Sequence, residues 1–464
     1  MKPQEMIQMG VPKPAVAAAI AAVAAAVGTG MDREALHAAI AALVKDPAAF
    51  TGHAQFGALA ARLIQEAAAP SGYVPRGRPA PYRSWGRDLE PTSVKQMEAA
   101  CELPVSIRGA LMPDAHLGYG LPIGGVLATD NAVIPYAVGM DIACRMKLTV
   151  LDLPLTAFTD DRNRLKSALV RETQFGVGAR FKKRRQHPVM DEDWSVSPVT
   201  AERKDTAWSQ LGTSGSGNHF VEYGELTVTR DGLGLAPGAY LAILSHSGSR
   251  GTGGKVAQHY SALAQELNPQ LPQHLKQLAW FSLDSAEGRE YWAAMELMGR
   301  YAAAGHALIH AHIAAALGVG VLLDVENHHN FAWRENHDGR EVIVHRKGAT
   351  PASVGVLGII PGSMGTPGYV VRGLGQPDSM NSASHGAGRA MSRKQAHATF
   401  NWEEAHKFLK SRNVEIISAG LDEVPMAYKD IDQVMAAQAD LVETLAKFEP
   451  RIVKMAPSGE RPED

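Results

Sequence analysis

Two alanine-rich apolar stretches dominate the start of the chain: PAVAAAIAAVAAAV over Pro14–Val27 and DREALHAAIAALV over Asp32–Val44. Alanine is the best helix former, and Gly28-Thr29-Gly30 between them reads as a helix stop and turn. The pattern predicts a helical hairpin, with residues 1–68 helical throughout and ending near Phe56–Ile64. Four prolines, three glycines and Arg76, Arg78, Arg83 and Arg87 then crowd into Pro70–Arg87, the composition of a linker or extended arm spanning 69–91. From residue 92 the pattern changes. Short apolar runs (Leu121–Ala128, Met146–Leu151, Ala239–Leu244, Val319–Val325) have the length of buried strands, and Gly-rich loops between them hold His, Asp, Ser and Asn. One long stretch, Tyr291–Leu317, is helical in character despite Gly299 and Gly305. The expected fold class is α/β of mixed α+β type: a single large domain over 92–464 with mixed β-sheets and helices, plus an Ala-rich helical N-terminal extension.

Composition narrows the function classes. The 464 residues are 45% hydrophobic and 20% charged, which allows a large core and excludes global disorder. Two cysteines exclude a disulfide-stapled scaffold. A net charge of −2 excludes a chain that is basic all over, so a nucleic-acid partner must meet a local patch. The apolar run after Lys2 and Lys13 has the outline of a signal-peptide core, but it falls short of the ~20 residues that span a bilayer. The expectation is a cytoplasmic chain with no membrane segment.

Familiar nucleotide and hydrolase motifs are missing. Gly251-Thr-Gly-Gly-Lys-Val256 fails as a P-loop in spacing and at Val256. No G-x-G-x-x-G follows a strand, and G-x-S-x-G, H-E-x-x-H, C-x-x-C and K-x-D-G are all missing.

The positive signals are polar loops. Asp141 and Cys144, in GMDIAC, stand three apart at the end of an apolar run, so thiolate and carboxylate can reach one cation; the alternative is an inert buried cysteine, the reading left to Cys101. His219 in GSGNHFVE, His246 in HSGSRG and His329 in ENHHN lie among Gly, Ser and Asn. With Asp141 and Cys144 they make five candidate ligands, enough for two metals sharing one. His116 in PDAHLGYG is either a sixth ligand or, with Asp114, a partner that orients ligands; His328 points away from His329 if the loop is extended. His385 stands in SHGAGR, where Gly386 and Gly388 let backbone N–H groups approach a phosphate and Arg389 adds charge. A histidine there can hold phosphorus covalently, or the loop is a turn of small residues that packs closely. Arg180-Phe-Lys-Lys-Arg-Arg185 is either a handle for nucleic acid or a solvated loop balanced by Asp191-Glu192-Asp193.

The ordered set PDAHLGYG, GMDIAC, GSGNHFVE, HSGSRG, HHN, HRKGAT, IPGSMGT and SHGAGR, with DEVPMAYKDID near the end, resembles the RtcB family of RNA-splicing ligases from about Thr92 to Arg451. The resemblance implies joining of RNA that ends in a 2′,3′-cyclic phosphate or 3′-phosphate to RNA with a 5′-hydroxyl, in RNA repair or splicing, with GTP and Mn²⁺. It makes His385 the nucleophile that carries GMP before GMP passes to the RNA 3′-phosphate and is displaced by the 5′-hydroxyl. It makes Cys144 the bridge between two metals, one also held by His246 and His329, the other by Asp141 and His219. It gives Asn218, Glu222, Ser363, Ala387, Gly388, Arg389 and Tyr428 to the nucleotide, and Arg250 and Lys347 to phosphates. Ligand softness alone would select zinc; manganese enters through the resemblance.

Four departures stand out. Arg145 replaces a glycine after the metal cysteine, Gly305-His306 replaces an Asn-Arg pair in the long helix, and Gly368 replaces a serine before Tyr369. The sequence ends GERPED where the family commonly ends Lys-Gly, with the Lys reading guanine, so guanine specificity is expected to be relaxed or supplied differently. The competing readings are a metal-dependent cyclic phosphodiesterase or phosphatase acting on RNA ends without ligation, and an RNA-end-binding protein.

Overall fold

The computed structural model describes residues 1–12, 15–68 and 73–460. Lys13 and Pro14 of the signal-like run, and residues 69–72 of the expected arm, lie outside the described residues. The chain divides into two compact units, Met1–Val74 and Pro75–Asp464.

In the first unit, helices Pro3–Gln8, Val16–Gly28, Arg33–Lys45 and Gly57–Ala68 enclose a core that includes Met6, Val23, Ile40, Leu43, Phe56 and Leu59. Ala15, Ala19, Ala22 and Ala26 recur every three or four residues and are buried, so the alanines form one helical face. Asp32 starts the third helix by accepting from the Ala35 amide at 2.8 Å. Among the described residues, no helix is long and apolar enough to cross a membrane.

The second unit is built on two large sheets. The five-stranded sheet runs Tyr82–Ser84, Ser106–His116, Ile123–Thr129, Arg340–Lys347, Asn330–His337. Part of the Pro/Gly/Arg-rich arm is therefore a strand, parallel to Ser106–His116, followed by a buried Trp85. The eight-stranded sheet runs Leu357–Ile360, Gly368–Gly373, Val442–Met455, Phe220–Val228, Gly238–Ser247, Arg145–Leu151, Val321–His328, with Glu415–Ser418 paired to Val442–Met455. All four apolar runs read as strands fall within or overlap these elements, and the long helix extends over Ala286–Leu317, capped by Ser285.

Strand alternation separates two cores. Val221, Tyr223, Leu241 and Ile243 pack with Ile309 and Ile313 of the long helix. Leu226, Leu244, Met146, Leu148, Val325, Ile359 and Val370 face one another on the other side, which requires the sheet to curl. Asn327 fastens the curled ends: its Oδ1 accepts from the Ile359 amide at 2.9 Å and its Nδ2 donates to Thr350 Oγ1 at 2.6 Å.

The five-stranded sheet carries a buried ion pair. Arg346, wholly buried, donates from Nη1 to Glu335 Oε1 at 2.6 Å, and Trp333 stacks on its guanidinium. Burial pushes the Glu335 carboxyl up, but His337 and Arg346 outweigh it and hold the pKa at about 2. That depressed value contributes stability above the unfolded pKa near 4.5, lost as pH falls toward about 2. Arg346→Met leaves half-buried Glu335 to His337 alone and is expected to lower unfolding stability by ~1–3 kcal/mol in urea titrations at neutral pH.

Candidate active site

The loops at the strand ends converge on a cleft of about 2080 Å³ within the second unit. Its wall includes Asp141, Cys144, Asn218, His219, His246, His329, Lys347, Ser363, His385, Ala387, Gly388, Arg389 and Tyr428. Of the residues that the resemblance gives to metals, nucleotide and phosphates, Glu222 and Arg250 are not on that wall.

Five buried side chains meet around one sulfur. Cys144 Sγ lies 3.1 Å from His246 Nε2 and 3.5 Å from His219 Nε2. His246 Nε2 is 3.2 Å from His329 Nε2, and His219 Nε2 is 3.0 Å from Asp141 Oδ2. The result is two triads, Cys144–His246–His329 and Asp141–Cys144–His219, sharing the cysteine. Backbone carbonyls set the tautomers: His219 Nδ1 donates to Ser214 O at 2.7 Å and His246 Nδ1 to Asn218 O at 3.1 Å. Both Nε2 atoms therefore present lone pairs, and burial holds His246 neutral by lowering its pKa to about 3. Lone pairs aimed at a carboxylate and a sulfur repel unless a cation lies among them, so the donor set fits bound metal. Gly248 makes the cradle possible, because a Cβ there would stand 2.1 Å from both Asp141 carboxylate oxygens. Asn330, the last letter of ENHHN, holds the loops together: its Nδ2 donates to Asp141 O at 3.1 Å and its Oδ1 accepts from the Gly348 amide at 2.8 Å.

His385 lies beside this cluster, its ring 4.9 Å from that of His329. Its Nδ1 donates to Asp114 Oδ2 at 2.7 Å, and the same oxygen accepts from the amides of His385 at 3.2 Å and Gly386 at 3.3 Å. Asp114 is therefore an orienting partner of His385, and among the described residues no hydrogen bond joins its carboxylate to the cluster. With Nδ1–H engaged, the neutral ring presents its Nε2 lone pair. Gly388, at φ 73°, passes so close to Asp114 that a Cβ would lie 2.1 Å from its carbonyl oxygen. Lys429, which the sequence reading passed over, donates to Ala115 O at 2.7 Å and Pro113 O at 3.2 Å and ties this loop to PDAH.

A model of the family described as tRNA-splicing ligase RtcB matches residues 96–197 and 190–455. The chain belongs to the RtcB family. The RNA-splicing ligase RtcB of Escherichia coli K12 is 33% identical over 398 residues, covering 79% of this chain and 95% of that protein. Its counterpart in Mycobacterium tuberculosis is 32% identical, covering 76% of this chain and 98% of that protein. The tRNA-splicing ligase RtcB of Thermococcus kodakarensis is 29% identical, covering 73% of this chain and 86% of that protein.

Several expectations carried from RtcB sequences change in three dimensions. Arg250 has left-handed φ of 58°, and its guanidinium turns to Thr213 Oγ1 at 2.9 Å and Gly176 O at 3.0 Å instead of the cleft. Glu222 is buried in the sheet, and burial pushes its carboxyl well above the usual range. Arg145 does not stand at the cleft: it is buried and donates from Nη2 to His328 Nδ1 at 3.1 Å, which also places His328 away from the cluster. His306 meets Ser245 Oγ at 2.8 Å behind the sheet. Gly368 pairs with Phe448 in a strand and is not on the cleft wall, whereas Ser363 is. The basic cluster finds its acids elsewhere than expected: Arg184 pairs with Asp205 at 2.7 Å and Arg185 with Glu172 at 3.3 Å. Residues 461–464, the RPED of the divergent tail, lie outside the described residues.

Lys347 and Arg389 stand on the same wall. Lys347 donates to the carbonyls of Tyr119 and, at 3.0 Å, Tyr136, and burial lowers its pKa to about 7. Arg389 lies 5.3 Å over the Tyr428 ring and donates to Asp422 O at 2.8 Å. Asn218 keeps a buried Oδ1 that has no partner among the described residues.

Proposed function

We propose that the chain is an RNA ligase that joins 2′,3′-cyclic phosphate or 3′-phosphate ends to 5′-hydroxyl ends, with GTP as co-substrate. The observation that carries this reading is the pairing of Asp114 with His385 in the cleft that also holds the Cys144 cluster. Hydrolysis of an RNA end needs metal-activated water but no imidazole nucleophile. Here an imidazole has its tautomer fixed by a buried carboxylate, in a loop whose Gly388 lets Asp114 approach closely.

In this reading His385 Nε2 attacks the α-phosphorus of GTP. An N–P bond forms and the P–O bond to pyrophosphate breaks. A cyclic end is first opened by water, which bonds to phosphorus as the P–O2′ bond breaks and O2′ takes a proton. An RNA 3′-phosphate oxygen then displaces the imidazole, which leaves neutral because Nδ1 keeps its hydrogen on Asp114. The 5′-hydroxyl finally displaces GMP. Asp141, Cys144, His219, His246 and His329 would hold two divalent cations, manganese by family kinship, which supply charge neutralisation for the phosphates. Lys347 and Arg389 line the same wall, and Asn218, Ser363, Ala387, Gly388 and Tyr428 would meet the nucleotide.

The test is a joining assay with cyclic-phosphate and 5′-hydroxyl RNA ends, Mn²⁺, and GTP or ATP in parallel. Joined RNA that requires GTP would show that guanine specificity is supplied without the C-terminal Lys, and joining with either nucleotide would show that it is relaxed. Opening of the cyclic phosphate without joining, under every nucleotide, would favour the phosphodiesterase reading.

A further inference from the structure

His116 lines the cleft and has no part in the steps above. Its Nδ1 lies 3.0 Å from the carbonyl oxygen of Asp114. A carbonyl only accepts, so Nδ1 carries the hydrogen and Nε2 of the neutral ring presents a lone pair. The carboxylate of the same Asp114 holds His385. One residue therefore carries both imidazoles, His385 on its side chain and His116 on its main chain. Of the cleft-lining histidines His116, His219, His246, His329 and His385, three belong to the Cys144 cluster and one is the nucleophile of the ligase reading. Beside it on the wall, Lys347 donates to carbonyls, Glu423 pairs with Arg389 and Arg393, and Glu90 accepts from the Leu117 amide; behind it Asp114 Oδ2 accepts three N–H groups.

We propose that His116 is the general base of the sealing step, accepting at Nε2 the proton of the RNA 5′-hydroxyl. As that oxygen attacks the activated 3′-phosphorus, the new O–P bond forms. The P–O bond to GMP breaks with its electron pair, and the proton remains on His116 as imidazolium. The phosphorus under attack is one P–O–P bridge from the phosphorus that His385 releases, which places the hydroxyl near the Asp114 pair. The inference rests on the ligase reading.

The electrostatic setting is consistent. Burial lowers the His116 pKa to about 4, against the Asp114 hydrogen bond, so the ring is neutral at pH 7. Asp114, His385 and Lys429 face it, and Glu90 accepts from the adjacent Leu117 amide. RNA phosphates in the cleft add negative charge and move the pKa back toward neutrality, where an imidazole base is most effective.

The test separates loading from sealing. Purified full-length protein is incubated with labelled GTP and Mn²⁺, the His385 adduct is quantified, and RNA ends are then supplied in a single turnover. His116→Gln is expected to form adduct at the wild-type level, to accumulate RNA carrying GMP on its 3′-phosphate, and to seal ~10²–10⁴-fold more slowly. The wild-type sealing rate should fall at acid pH as His116 protonates. That limb should vanish in His116→Gln, and added imidazole should restore sealing in His116→Ala. Sealing at the wild-type rate overturns the proposal. So does a parallel loss of adduct and sealing without imidazole recovery, which is what a purely structural role predicts. A wild-type protein that forms no adduct overturns the ligase reading, and this inference with it.

Discussion

Asp114→Asn is expected to slow nucleotide transfer onto His385 by ~10²–10⁴-fold while leaving the fold and the metal content intact. The carboxylate accepts from His385 Nδ1 at 2.7 Å and from two backbone amides through one oxygen. An asparagine oxygen in the same place can still accept from Nδ1 and the amides, but it lacks the carboxylate's charge. Attack by Nε2 on phosphorus with Nδ1–H retained makes the ring cationic, and the negative charge beside it stabilises that state. The comparison is the rate of labelled adduct formation under saturating GTP and Mn²⁺, with thermal melts run beside it. Unchanged rates would show that Asp114 holds the loop and does not stabilise the charged ring.

Cys144→Ala is expected to remove bound divalent metal more completely than alanine at any single histidine of the cluster. Each histidine belongs to one triad, whereas the sulfur belongs to both. Even partners outside the metal shell cost about 10–100-fold in affinity, so loss of a shared ligand should exceed ~10²-fold. Metal content after dialysis against Mn²⁺, read by elemental analysis, checks the claim. The wild-type melting temperature should also rise with added Mn²⁺, because the cation binds only where the triads are assembled, and this shift should disappear in Cys144→Ala. Retention of both metals by Cys144→Ala would remove the bridging role.

What was legible in the sequence and what was not divide along physical lines. Asp141, Cys144, His219, His246, His329 and His385 are polar residues set in Gly-rich loops, where the alternation of strand and loop exposes their chemistry, and the structure gathers all six at one cleft. The orientation of a side chain on a turn or strand carries no such mark. Arg250 reads as a phosphate hand beside HSGSRG, whereas its guanidinium donates to Thr213 Oγ1 and Gly176 O. Glu222 completes N-H-x-x-E in sequence, but its strand buries it in the sheet. Arg145 follows Cys144 in sequence, but it opens a strand, is buried, and its guanidinium meets His328. Long-range partners were equally hidden: Asp205 pairs with Arg184 and Glu172 with Arg185 from distant segments, and Asn327 closes the curled sheet on Ile359. The N-terminal helices were legible because alanine spacing is local, whereas the strand at Tyr82–Ser84 was masked by the prolines and glycines around it.

The central claim is that His385 carries the nucleotide. The most direct measurement is mass spectrometry of the protein after incubation with GTP and Mn²⁺, first intact and then after digestion. The account predicts one added GMP per chain, on the peptide containing Ser384-His385-Gly386, acid-labile as a phosphoramidate is, and missing in His385→Ala. A GMP adduct on any other residue, or RNA joining by His385→Ala, would contradict it.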